Sequence, residues 1–182
     1  KTIGAWLSVL EAGYLIFLLQ PHHKNFGKRL VKTPKLYFHD TGLAAYLMGI
    51  QDANHLSIHP ARGALFENLV ISELLKQRFN QGLPSNLYFW RNNTGDEVDL
   101  LIEQGDFLMP VEIKSGQTFN ADFLTGLAKW VRYAGPTALP AQLIYGGDDN
   151  MTRQGVQVRS WRNLKGLQGA AARANSPQVP PT

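Results

Sequence analysis

The sequence predicts an α/β fold in two units, and three observations predict it. Residues 97–115, EVDLLIEQGDFLMPVEIKS, alternate apolar and polar side chains on either side of Gly105-Asp106, which is the pattern of a strand hairpin. Residues 63–79 place Leu65, Phe66, Leu69, Val70, Leu74 and Phe79 at helical spacing. Between Ala12 and His39 there is no acid, but Lys24, Lys28, Arg29, Lys32 and Lys35 separate two short apolar runs.

A length of 182 residues suits one medium domain or two small ones, and 44% hydrophobic residues are enough to bury a core. Cysteine is absent, which removes disulfides and thiolate metal sites and suits a reducing, cytoplasmic setting. A net charge of +4 permits nucleic-acid binding. The most apolar run, Tyr14 to Leu19, is far short of the ~20 residues that a membrane span needs, so no membrane partner is expected. The chain opens on a helical pattern without Met and reads as a fragment of a longer protein.

Thr2 can cap a first helix, with Ile3, Trp6, Leu7 and Leu10 at helical spacing and Gly13 as its end. Tyr14 to Leu19 reads as a strand stopped by Pro21, and Leu36-Tyr37-Phe38 as a returning strand. Asp40 then caps a short helix closed by Gly49. Helix, strand, basic loop, strand, helix is the outline of a partial winged helix over residues 1–50. The basic loop is either a wing on DNA phosphates, through Lys24, Lys28, Arg29 and Lys32, or a solvated surface loop. Residues 51–60 read as a linker.

The second unit covers residues 61–167. Its helix carries Glu67 one turn before Val70, Ile71 and Leu74, close to the apolar side. A carboxylate there is costly unless something satisfies it. Leu87 to Arg91 is an aromatic strand turned by Asn92 to Gly95. After the hairpin, Asn120 caps a helix through Phe123, Leu127, Trp130 and Tyr133. Gln142 to Tyr145 is a buried strand, and Val156 to Val158 a last short one. Residues 168–182 turn to Ala, Pro, Ser and Gln and read as a disordered tail.

If Gly105-Asp106 is a two-residue loop, Gln104 faces Phe107, Glu103 faces Leu108, Asp99 faces Glu112, and Glu97 faces Lys114. Pro110 can interrupt this ladder. Two opposed carboxylates repel and call for a proton, a base or a cation between them.

The spacing of Asp99 with Glu112-Ile113-Lys114 resembles the PD-(D/E)XK phosphodiesterase core, although Val98 stands where that family's proline would be. In that family two acids hold Mg²⁺ and the lysine positions the attacking water. Three longer stretches, residues 28–50, 63–76 and 88–116, resemble one family: the domain of unknown function found C-terminal to bacterial and archaeal AAA-type ATPases. That resemblance covers roughly residues 1–167. It implies a restriction-endonuclease-like (PD-(D/E)XK) αβββαβ core after a partial winged helix. It also implies Glu67, Asp99 and Glu112 as metal acids, Lys114 as the catalytic lysine, and Mg²⁺ or Mn²⁺ as cofactor. Arg91 and Ser115 are then candidate phosphate contacts. The expected partners are a nucleic acid, DNA first, and the ATPase domain of the same parent chain. That parent is expected to bind ATP, but no GxxxxGK[ST] loop occurs here, so this chain is not. The expected activity is Mg²⁺-dependent phosphodiester cleavage. The alternative is a non-catalytic module that docks the ATPase to DNA or to a partner.

Overall fold

The fold is described from a computed structural model, for residues 2–23 and 30–167. Lys24, Lys28, Arg29 and the tail 168–182 lie outside the described residues. The elements in order are α1 (Thr2–Ala12), β1 (Ile16–Leu19), β2 (Lys35–Phe38), α2 (Thr41–Leu47), α3 (Ala53–Ile58), α4 (Arg62–Phe79), β3 (Leu87–Arg91), β4 (Glu97–Gln104), β5 (Phe107–Lys114), α5 (Thr125–Ala134), β6 (Gln142–Tyr145), β7 (Met151–Arg153) and β8 (Val156–Ser160). Short 3-10 turns flank α5. Among the described residues no helix is long and apolar enough to cross a membrane.

The main sheet is mixed, with six strands in the order β3-β4-β5-β6-β8-β7. β3, β4 and β5 form an antiparallel meander, β5, β6 and β8 run parallel, and β7 closes the far edge antiparallel to β8. A parallel pair needs a crossover, and α5 supplies it between β5 and β6. α4 covers one face, where Val70, Ile71 and Leu74 meet Leu100, Ile102, Val111 and Ile144. α5 covers the other, where Leu127 and Trp130 meet Leu101, Leu108, Leu143 and Val158. The order α4-β3-β4-β5-α5-β6 is the expected helix, meander, helix and strand.

The β4–β5 hairpin has the expected register, from Gln104↔Phe107 to Leu100↔Val111. Gly105 alone of the two turn residues takes a positive φ, at 62°, as a tight primed turn with glycine first requires. Pro110 does not break the ladder, for it pairs with Leu101. The ladder to β6 begins only at Val111, one residue later, so the missing N–H costs no bond there.

Two features depart from the expectation. The stretch 51–60 carries a helix, α3, because the Asp52 carboxylate accepts the His55 N–H at 2.8 Å. The last strand is half of a hairpin, β7–β8, turned through Gln154 and Gly155, both at positive φ.

The N-terminal segment builds onto the main sheet. β1 and β2 pair antiparallel. Beyond β1 the chain continues alongside β3, with the His22 N–H donated to Phe89 O at 2.8 Å and the Phe89 N–H to Gln20 O at 3.1 Å. On the other side Asn68 of α4 acts as a strand partner for β2. Its Oδ1 accepts the Phe38 N–H at 2.7 Å and its Nδ2 donates to Phe38 O at 2.9 Å. α1, by contrast, buries none of its residues, and Ile3, Trp6 and Val9 are exposed.

Candidate acidic centre

Asp99 sits at an irregularity of β4. Tyr88 pairs with Leu101 and Trp90 with Val98, so β4 spends three steps where β3 spends two. Such a bulge re-aims a side chain and ends regular pairing. The β4–β5 ladder stops at Leu100↔Val111, and the Asp99 carboxylate takes over by accepting the Ile113 N–H at 2.8 Å.

Asp99 and Glu112 are brought together through Lys114. Its Nζ lies 2.5 Å from Glu112 Oε1 and 3.7 Å from Asp99 Oδ2. Glu112 Oε2 is buried and accepts no hydrogen bond. A cleft lined by Trp90, Asp96, Gly126, Lys129 and Tyr133 opens alongside. Glu112 Oε2 lies 3.9 Å from where a Cβ on its Gly126 would stand.

Glu67 reaches the same neighbourhood from α4 and is satisfied by the N-terminal segment. Its Oε1 accepts the Tyr37 hydroxyl and, at 3.1 Å, the Lys35 ammonium. Lys35 also lies 2.5 Å from Glu97 Oε1, whose other oxygen is 3.5 Å from Arg91 Nε. Glu97 therefore does not pair with Lys114 as the hairpin count has it. The extra residue of the bulge re-aims the strand end, and Lys35 and Arg91 take Glu97 instead.

The electrostatics follow from burial and crowding. Burial first, and then the neighbouring Glu67, push the Asp99 carboxyl above its usual range. Burial and Asp99 push Glu112 up to about 7, although Lys114 pulls the other way. For Lys114, burial favours the neutral amine, but Asp99, Glu112 and Glu67 outweigh it and raise the pKa. Lys35 behaves likewise, with Glu67 and Glu97 outweighing burial. Burial and Glu67 push the Tyr37 hydroxyl far up, so it stays protonated and donates.

The donor set suits a small hard cation in one respect. Mg²⁺ is usually held by one or two carboxylates, with waters and substrate phosphate completing its shell. Asp99 and Glu112, with one oxygen of Glu112 unengaged, fit that description. Among the described residues no three His, Asp or Glu side chains are gathered as a metal-holding group, so Glu67 stands apart from the pair. Asp99 and Glu112 would hold the ion.

Of the other expected contacts, Lys32 is exposed on the segment leading to β2. Arg91 ends β3 and turns its side chain to Glu97. Ser115 follows β5, and its carbonyl accepts Arg62 at 2.8 Å. Lys35, Tyr37 and Glu97 belong to the centre but are not among the residues the sequence singles out for it. The only sign of Lys35 was its place in the basic stretch.

A family model for a domain of unknown function, DUF4143, matches residues 62–164. A second, DUF8612, also a domain of unknown function, matches residues 1–54. Uncharacterized proteins of Mycobacterium bovis (Mb2031c) and Mycobacterium tuberculosis (Rv2008c) are each 34% identical over 117 residues, which is 64% of this chain and 26% of theirs. The chain thus spans about a quarter of the length of these relatives. No solved structure matches.

Proposed function

We propose that this chain, which belongs to the DUF4143 family, is a nuclease-like PD-(D/E)XK domain of a larger AAA-type ATPase and cleaves nucleic-acid phosphodiesters with Mg²⁺ or Mn²⁺. One observation carries the reading. Asp99, Glu112 and Lys114 converge, with a buried Glu112 oxygen that has no hydrogen-bond partner. That oxygen is costly unless a proton or a cation answers it.

A divalent cation held by Asp99 and Glu112 would supply Lewis-acid polarisation of the phosphate and a more acidic water. Lys114 would orient the attacking water with a donated hydrogen bond and offset charge that develops on the phosphate oxygens. The Ile113 N–H keeps Asp99 aimed at the centre while β5 positions Glu112 and Lys114. Arg91 and Ser115, on the chain segments next to the acids, would hold flanking phosphates. Lys24, Lys28, Arg29 and Lys32 would extend the electrostatic contact to DNA.

A second reading is a docking module without catalysis, which joins the parent ATPase to DNA or to a partner. It is favoured by the lysines that already neutralise the acids and by the lack of a three-acid group among the described residues. The test is cleavage of plasmid and single-stranded DNA in Mg²⁺ or Mn²⁺, with Asp99→Asn as control. Cleavage lost in that variant supports the nuclease. Binding without cleavage supports the docking module.

A further inference from the structure

The centre contains two charged bridges of the same design. Lys114 stands between Glu112 and Asp99. Lys35 stands between Glu67 and Glu97. The first lysine comes from the hairpin that carries the acids. The second comes from β2, outside the residues matched by the DUF4143 model. Tyr37, two residues on and on the same face of that strand, donates to the same Glu67 oxygen as Lys35.

We propose that Lys35 and Tyr37 are positioning residues of the acidic centre: the N-terminal unit supplies them to hold Glu67, and Lys35 is the resident cation with which a divalent ion must compete. This rests on the reading of Asp99 and Glu112 as a cation site.

The physical grounds are these. Glu67 and Glu97 are mostly buried carboxylates on different elements, α4 and β4. Without a cation between them they would repel each other and Asp99. Lys35 removes that repulsion with one charge. The Lys35 side chain is itself three-quarters buried, which is costly for a lysine unless its charge is paired. Two carboxylates pair it, and the face of the Phe89 ring lies 5.4 Å from its Nζ. Asn68 clamps the end of the same strand to α4, so the ammonium is delivered by a fixed backbone. A lone surface ion pair would not be built in this way.

Two consequences follow. With Lys35 in place, Glu67 is engaged by two donors and is kept out of the ligand set of Asp99 and Glu112. With Lys35 neutral, the centre gains a net negative charge, and Glu67 keeps the Tyr37 hydroxyl, a neutral donor that leaves its charge available to complete a three-acid set. Cation affinity should therefore rise when Lys35 is neutralised, even though an ion pair has been removed. A lysine that was only a strut would produce no such rise.

The experiment is isothermal titration of the whole chain with Mn²⁺, for the parent and for Lys35→Met, Lys35→Gln and Lys35→Arg. Lys35→Met is expected to tighten Mn²⁺ binding roughly tenfold, since one unit charge near a divalent ion is worth at least that in a partly buried site. Lys35→Gln keeps a donor for Glu67, should give a similar gain, and serves if the methionine variant folds poorly. Lys35→Arg keeps the charge and should restore the parent affinity. In a Glu67→Gln background the part of the gain that comes from the released Glu67 carboxylate should disappear, leaving only the through-space effect of the lost lysine charge. If Lys35→Met and Lys35→Gln bind Mn²⁺ as the parent does, Lys35 is a strut and the inference is overturned while the cation site stands. If neither the parent nor any Lys35 variant binds Mn²⁺, the cation site itself is overturned, and the inference with it.

Discussion

The Asp99 carboxylate accepts the backbone N–H of Ile113 at 2.8 Å, just beyond Leu100↔Val111, the last main-chain pair of the β4–β5 ladder. A side chain thus does the work of a strand neighbour at the point where β4 bulges. The same oxygen lies 3.7 Å from Lys114, so the bond that fixes the hairpin end also fixes the acid against the lysine.

Asp99→Asn keeps an oxygen for the Ile113 N–H and removes one of the crowded charges. It should raise cation-free stability and abolish any stabilisation by Mg²⁺ or Mn²⁺. In the parent that stabilisation should follow RT ln(1 + [L]/Kd), about 2.7 kcal/mol at a hundredfold excess over Kd. Lys114→Ala should retain the metal-dependent shift and lose turnover. Thermal unfolding with and without millimolar metal checks both. A parent without a shift, together with a destabilised Asp99→Asn, would mean that the acids are structural.

Asn68→Ala tests how the N-terminal segment is attached. It strips partners from both the N–H and the C=O of Phe38 and from Thr41 Oγ1. Leaving a buried group unsatisfied costs about 1–3 kcal/mol, and here a strand edge loses its bonds together. Urea unfolding should show a loss of that size. Hydrogen exchange should accelerate at Phe38 while the β4–β5 hairpin keeps its protection. Unchanged exchange at Phe38 would mean that the contact contributes nothing.

Much of the centre was legible in the sequence because its parts are local. A two-residue turn fixes the hairpin register up to Leu100↔Val111, and Asp99, Glu112 and Lys114 all lie within three residues of that pair. The residues that were missed are bound over long range. Lys35 and Tyr37 meet Glu67 some thirty positions away, across two units, and nothing in the spelling of either segment records it. The bulge was illegible for another reason. Leu101 breaks the alternation of Val98, Leu100 and Ile102, but a strand buried on both faces does the same, so the break does not betray an extra residue. That bulge is what takes Glu97 from Lys114 and leaves it to Lys35.

Gly146 follows β6 against the end of β5. A Cβ there would lie 2.5 Å from Ser115 O, a main-chain atom that cannot swing away. The Gly146 N–H also donates to Lys114 O and Gly116 O, both at 3.0 Å. Gly146→Ala should therefore displace the segment that carries Lys114 and cost about 1–3 kcal/mol, as overpacking does. Gly155→Ala, strained only through its positive φ and with open space around it, should leave cleavage untouched. Equal activity of the two variants would show that the Lys114 segment tolerates the shift.

If Lys24, Lys28, Arg29 and Lys32 contact phosphates, DNA affinity should fall with salt at a log–log slope of about −0.9 per contact. Reversing the four charges should flatten the slope, as read by fluorescence anisotropy at several salt concentrations. A slope that does not change would make this segment a solvated loop.

Glu112 gives a dependence on pH whose sign is unusual for a carboxylate beside a lysine. Its folded pKa is raised to about 7, because burial and Asp99 outweigh the pull of Lys114. Between its ordinary value and about pH 7 the folded chain then holds a proton that the unfolded chain has released. Fewer protons bound in the unfolded state means that stability falls as pH rises through this window, at up to about 1.4 kcal/mol per pH unit. The contribution is fully present near pH 4 and lost above about pH 7. Asp99 is raised as well and Asp96 is lowered, so the quantity to read is the difference between the parent and Glu112→Gln. Glu112→Gln has no proton to lose and should be insensitive in this window. It should gain on the parent as pH rises from 5 to 8 in cation-free urea unfolding. Saturating Mn²⁺ should erase the gain by stabilising only the parent at the higher pH. A difference that stays flat from pH 5 to 8 would mean that Glu112 is ionised throughout, with Lys114 dominating the pair.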